Sequence, residues 1–236
     1  MDDTSKINKI IKAAQNSFFI KDYDSAINKL KSAEVQDRDN PEILYNIAIA
    51  YCRMEFYNQA LEYFSKILSL KLIFIDLIKV KKLIAFCYIN IKNYASALEY
   101  LNQINTEKIK DTQILAMKAY CHEKNENHDK ALALHKEILL IDKKNFNSIN
   151  ACAFIMAKKS KNLDKALKLA QAACNSDKNN GAFFDTIGYV MLKMGNLKKA
   201  EAYLKKAEQI KPFNDEIKEH LQELYNLKKN IHINKY

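Results

Sequence analysis

The sequence predicts an all-α chain of stacked helical hairpins, and three observations carry that prediction. Glycine and proline are scarce, 3 and 2 in 236 residues. An all-β fold, or a βαβ nucleotide fold with glycine loops, needs many more turn residues. Six alanines recur, Ala26, Ala60, Ala97, Ala131, Ala166 and Ala200, separated by 34, 37, 34, 35 and 34 residues. A period of that length marks a repeat architecture. Between the markers the apolar residues fall at helical spacing. One helical hairpin cannot bury both of its faces, so the hairpins stack into an α-solenoid.

Each unit is read in the same way. Three residues before each alanine stands a ring or a large apolar group: Tyr23, Tyr57, Tyr94, His128, Leu163 and Leu197. Seven residues after each stands Ala33, Ile67, Ile104, Ile138, Ala173 or Ala207. A small residue also recurs about 12 positions upstream, as Ala14, Ala48, Ala85, Ala119, Ala153 and Gly188. In the second unit Leu44, Ile47, Ala48 and Tyr51 form the stripe of the first helix. Met54 to Asn58 turns the chain, and Ala60, Leu61, Phe64, Ile67 and Leu68 form the stripe of the second. Small residues at both positions let the helix backbones approach closely. Asn93, Asn127, Asn162 and Asn196 fall at the turns, and asparagine both caps helices and tolerates left-handed backbone. The second interval, from Ala60 to Ala97, is longer by three residues around Leu68–Val80, the fourth unit has a polar turn from Glu123 to His128, and the fifth carries one extra residue near Ser160.

The run from Pro41 to Tyr51, followed by Tyr57 to Phe64, resembles the tetratricopeptide repeat (TPR). So do Asp185 to Val190, Met194-Gly195-Asn196, Ala200 to Ala207 and Lys211-Pro212. The resemblance implies six TPR hairpins over 7–214, at about 7–40, 41–74, 78–110, 111–145, 146–180 and 181–214. A tail over 1–6 precedes them, and a capping helix at 215–229 and a tail at 230–236 follow. It also implies protein partners, right-handed curvature, and an inner groove lined by the first helix of each pair.

The residue just after each small marker is expected to face that groove: Gln15, Ile49, Phe86, Tyr120, Phe154 and Tyr189. One turn earlier come Ile11, Tyr45, Lys82, Asn150 and Asp185. Rings among amides and charges suit a bound peptide, because rings supply buried area and amides pair with its backbone. In the TPR subgroup that clamps a partner's C-terminal carboxylate, Asn46 and Lys79 have counterparts. Ile11, Gln15 and Leu83 stand where that subgroup needs other residues, which speaks against this mode. Leu68–Val80 holds more apolar surface than one helix stripe needs, so Phe74 and Ile78 are expected either to pack internally or to form a homodimer.

Other chemistry finds little support. The net charge is +10, with lysine supplying 36 of the 38 basic residues and the excess lying mostly in the C-terminal half. Lysine runs such as Lys158-Lys159-Ser160-Lys161 support a nucleic-acid- or anion-binding regulator as the alternative reading. Without arginine they have little means to read bases. The lysine, isoleucine and asparagine bias suggests an AT-rich bacterial genome. Five cysteines at wide spacing, with no C-x-x-C, are expected to be reduced and mostly buried. His122, His128 and His135 lack zinc-finger spacing, and no catalytic or phosphate-binding motif is present. The expectation is a non-enzymatic adaptor with no cofactor and no metal. Lacking a signal peptide at its N-terminus or a transmembrane run, it is expected in the cytoplasm.

Overall fold

The computed structural model describes residues 3–70, 77–104 and 110–233. Among the described residues there are thirteen α-helices and no strand. They fall into two compact units, Met1–Ile109 and Lys110–Tyr236. The first holds α1 (Asp3–Phe19), α2 (Tyr23–Glu34), α3 (Pro41–Arg53), α4 (Tyr57–Ser69), α5 (Leu77–Asn90) and α6 (Tyr94–Asn102). The second holds α7 (Thr112–Lys124), α8 (His128–Ile141), α9 (Phe146–Lys158), α10 (Leu163–Ser176), α11 (Gly181–Lys193) and α12 (Leu197–Ile210). It ends in α13 (Asp215–Ile233), four residues longer than expected.

Local chemistry starts these helices. Asn40 Oδ1 accepts from the Glu42 and Ile43 amides just before Pro41, whose missing N–H costs nothing at a first helical position. Asp111, Asn145 and Asn180 cap α7, α9 and α11 in the same way, and Asn214 accepts from Ile217 at the start of α13.

The hairpin turns share one device. In all six, an amide reaches back to the carbonyl five residues earlier, as in Phe56 to Tyr51 (2.9 Å) and Asn93 to Tyr88 (2.8 Å). The residue before each such amide is left-handed: Lys21, Glu55, Lys92, Glu126, Ser160 and Gly195. This is the Schellman ending of a helix. The four turn asparagines behave differently, and Asn127 neither caps α8 through its side chain nor takes positive φ. Asn93 and Asn196 cap the next helix through Oδ1. Asn162 instead takes φ 51° itself, a second left-handed residue in the turn that carries the extra residue.

Five of the six Schellman positions hold side chains that resist positive φ. Lys92→Gly and Glu126→Gly, both exposed, are each expected to stabilise the fold by about 0.5–1 kcal/mol, after glycine's greater freedom in the unfolded chain is subtracted. Urea unfolding checks this. An unchanged or lower midpoint would mean that contacts of the present side chains already offset the strain.

The alanine markers lie where helices meet. Ala26, Ala60, Ala97, Ala131, Ala166 and Ala200 are all fully buried. At Gly188 even a methyl is too much, since a Cβ there would stand 2.7 Å from Leu204 Cγ. Around them Ile43, Leu44, Ile47, Phe64 and Ile67 fill the first unit. Phe183, Ile187, Leu204, Ile217 and Leu224 fill the second. Each large side chain removed from water contributes about 1.5–3 kcal/mol, which makes this burial the main source of stability.

Candidate partner-binding faces

In the first unit the expected inner residues sit on α1, α3 and α5. Ile11 is only 4% exposed and packs in the core with Ile7 and Leu30, so its role is structural. Gln15 is exposed, and Tyr45, Asn46, Ile49 and Lys82 are half-buried. Phe86 stands 43% exposed and meets Tyr57 edge to face, with ring centroids 6.0 Å apart. Tyr45 meets Phe64 in the same manner at 6.3 Å, with the Lys79 ammonium 5.3 Å from its ring centre. Asn46 Nδ2 donates to the Glu42 carbonyl at 2.8 Å, which leaves Oδ1 as an acceptor. Ile78 is exposed beside Leu77 in the first turn of α5, while Val80 is buried. Phe74 lies outside the described residues.

The second unit differs because α13 lies over its first helices. His220 stacks on Tyr189, with ring centroids 4.2 Å apart and planes 27° apart, and stands 5.8 Å from the Phe154 ring. Its Nδ1 is 2.9 and 3.1 Å from the two Asp185 carboxylate oxygens, within hydrogen-bond distance of both. Phe154, Asp185 and Tyr189 are therefore together, as the register requires, but buried beneath the chain's own helix. Burial pushes the Tyr189 phenol up, although the Lys193 ammonium beside it pulls the other way. Asn150 Nδ2 donates to Thr186 Oγ1 at 2.9 Å, so this amide serves α9–α11 packing. Tyr120 remains 42% exposed on α7, with Lys124 near its ring.

Charge holds α13 along its length. Glu216 pairs with Lys124 of α7 at 3.8 Å, Glu223 with Lys193 of α11 at 2.6 Å, and Lys228 with Glu201 of α12. Burial opposes the charge on Lys193 most strongly, but the bond to Glu223 and the Tyr189 phenol together more than offset it and raise its pKa. The sequence assigned α13 to covering the last hairpin, and its reach to α9 and α7 was missed. The signal was present: Ile217, Leu221 and Leu224 form one apolar stripe, with His220 on its edge.

The histidines of the fourth hairpin are tied to packing. His135 is buried and its Nδ1 meets Ser148 Oγ at 3.2 Å. Burial lowers its pKa to about 4. His122 and His128 are lowered too, first by burial. Lysines of the second unit are partly occupied: Lys159 pairs with Asp129, Lys205 with Glu201, and Lys206 lies over the Phe184 ring at 4.1 Å. No described helix is long and apolar enough to cross a membrane.

Comparisons with known proteins agree with this architecture. Residues 184–214 match the family model of the tetratricopeptide repeat. No curated protein sequence matches the chain. Among solved structures, a tetratricopeptide repeat protein from Parabacteroides merdae is similar with a TM-score of 0.68 and 16% identity, over 93% of this chain and 84% of that one. PilW, a type IV pilus biogenesis factor, is similar with a TM-score of 0.70 and 17% identity, over 91% and 98%. PilF of Pseudomonas aeruginosa is similar with a TM-score of 0.68 and 13% identity, over 94% and 100%. At such identities the likeness is one of fold.

Proposed function

Taking the tetratricopeptide-repeat fold of this chain as premise, we propose that it is a non-enzymatic protein-interaction scaffold. In this reading it holds a peptide or protein segment against the first-helix face of its first unit and so helps assemble a complex. The observation that supports this is the contrast between the units. Phe86 is exposed and Tyr45 and Ile49 are half-buried on α5 and α3, whereas Phe154 and Tyr189 are already covered by α13. Rings left accessible on a rigid helix face offer area at little entropic cost, and Asn46 Oδ1 can accept a backbone N–H of the bound segment.

The test is binding by the whole chain. A partner is captured with tagged protein, identified by mass spectrometry, and its affinity measured by calorimetry. The double variant Tyr45→Ala/Phe86→Ala is expected to lose about 2 kcal/mol or more of binding, roughly 30-fold, with helicity intact. Unchanged affinity in that variant, together with loss on neutralising the lysines at 158–161, would move the site to the second unit.

A further inference from the structure

Two thiols that the spacing does not pair are brought together in the first unit. Cys52 Sγ in the last turn of α3 and Cys87 Sγ in α5 are 3.3 Å apart. Cys87 is buried and Cys52 half-buried, so Cys52 is the more accessible residue of the pair. A disulfide is about 2.0 Å long, so the sulfurs need to close by about 1.3 Å. We infer that Cys52 and Cys87 form an oxidative modification site, at which the two-electron oxidant hydrogen peroxide closes a disulfide that staples α3 to α5.

The polarity of the pair suits that chemistry. The hydrogen bond from Cys87 holds the Cys52 thiol below its ordinary range; burial opposes this and the Arg53 charge assists. The same bond, and burial after it, pushes Cys87 up. Cys52 is therefore the attacking sulfur. Its thiolate attacks one peroxide oxygen and the O–O bond breaks, giving a Cys52 sulfenic acid and hydroxide, which takes the thiol's proton to become water. With no thiolate left at Cys52, the interaction that held the Cys87 proton is gone. Cys87 loses that proton and attacks the Cys52 sulfur. The S–O bond breaks, and the hydroxide leaves as a second water. In sum two S–H bonds and one O–O bond are exchanged for one S–S bond and two waters, and two electrons pass from the thiols to the peroxide.

Cys121, Cys152 and Cys174 make the contrast within the chain. All are buried, and burial raises each thiol. Because α3 and α5 carry Tyr45 and Phe86, the staple would also fix the spacing of the proposed binding face. That clause alone rests on the scaffold reading, and the thiol chemistry stands without it.

The experiment treats the full chain with hydrogen peroxide, unfolds it, alkylates the free thiols and maps peptides by mass spectrometry. The expected product is lighter by two hydrogens, alkylated at three cysteines only, with one Cys52–Cys87 cross-link that dithiothreitol reverses. Cys52→Ser and Cys87→Ser should each give no intramolecular link. All five thiols remaining alkylatable, cross-links between chains, or Cys52 passing straight to the sulfinic acid would each overturn the assignment.

Discussion

Truncating Tyr189 to alanine is expected to destabilise the second unit by about 3–5 kcal/mol and to loosen α13 from it. The ring is 5% exposed and touches His220, Phe154 and Lys193 at once. Its removal leaves a cavity, and it leaves the His220–Asp185 pair without its stacked cover. Tyr120→Ala on α7 is the control: that ring is 42% exposed, and its loss should cost no more than about 1 kcal/mol. Urea unfolding of both variants decides the matter. Equal small losses would mean that Tyr189 is not held beneath the helix.

Acid should weaken the same unit. The fold keeps His135 neutral, with a pKa of about 4, whereas the unfolded ring titrates near 6.5. Between those values the unfolded chain binds more protons, so stability is full above about pH 6.5 and falls as the pH drops toward 4. The gap corresponds to about 3 kcal/mol. His122 and His128 are shifted in the same direction and add to the trend. The residue four after the alanine marker is His135 here but leucine at Leu101 and Leu204. His135→Leu should therefore flatten the dependence of unfolding free energy on pH between about 7 and 4. Parallel slopes for variant and wild type would place the acid sensitivity elsewhere.

Much of the architecture was legible because it is periodic. A residue repeated every helical hairpin meets the same neighbours each time, so Ala60 and Ala200 had to serve one purpose. The face on which α13 lies was not legible in that way, since it occurs once and depends on His220 finding Asp185 and Tyr189 across the fold. The cysteine pair escaped for a related reason. Cys52 stands four residues after Ala48, but Cys87 stands two after Ala85, so a comparison of registers treats them as unrelated. Their meeting depends on how α3 and α5 lie against each other. Accessibility escaped as well: register put Phe86 and Phe154 on the same kind of face, and only the packed helix distinguishes them.

The placement of α13 has a quantitative consequence for recognition. A helix joined to the face it covers by the short link from Ile210 to Asp215 is held there at an effective concentration on the order of millimolar. Any outside helix directed at Phe154 and Tyr189 would meet only the fraction of molecules in which α13 is displaced. Its apparent affinity falls tenfold for every ~1.4 kcal/mol by which α13 is docked. In the proposed scaffold reading, a ligand for Phe154 and Tyr189 must therefore outcompete the chain's own α13, whereas Phe86 in the first unit stands exposed.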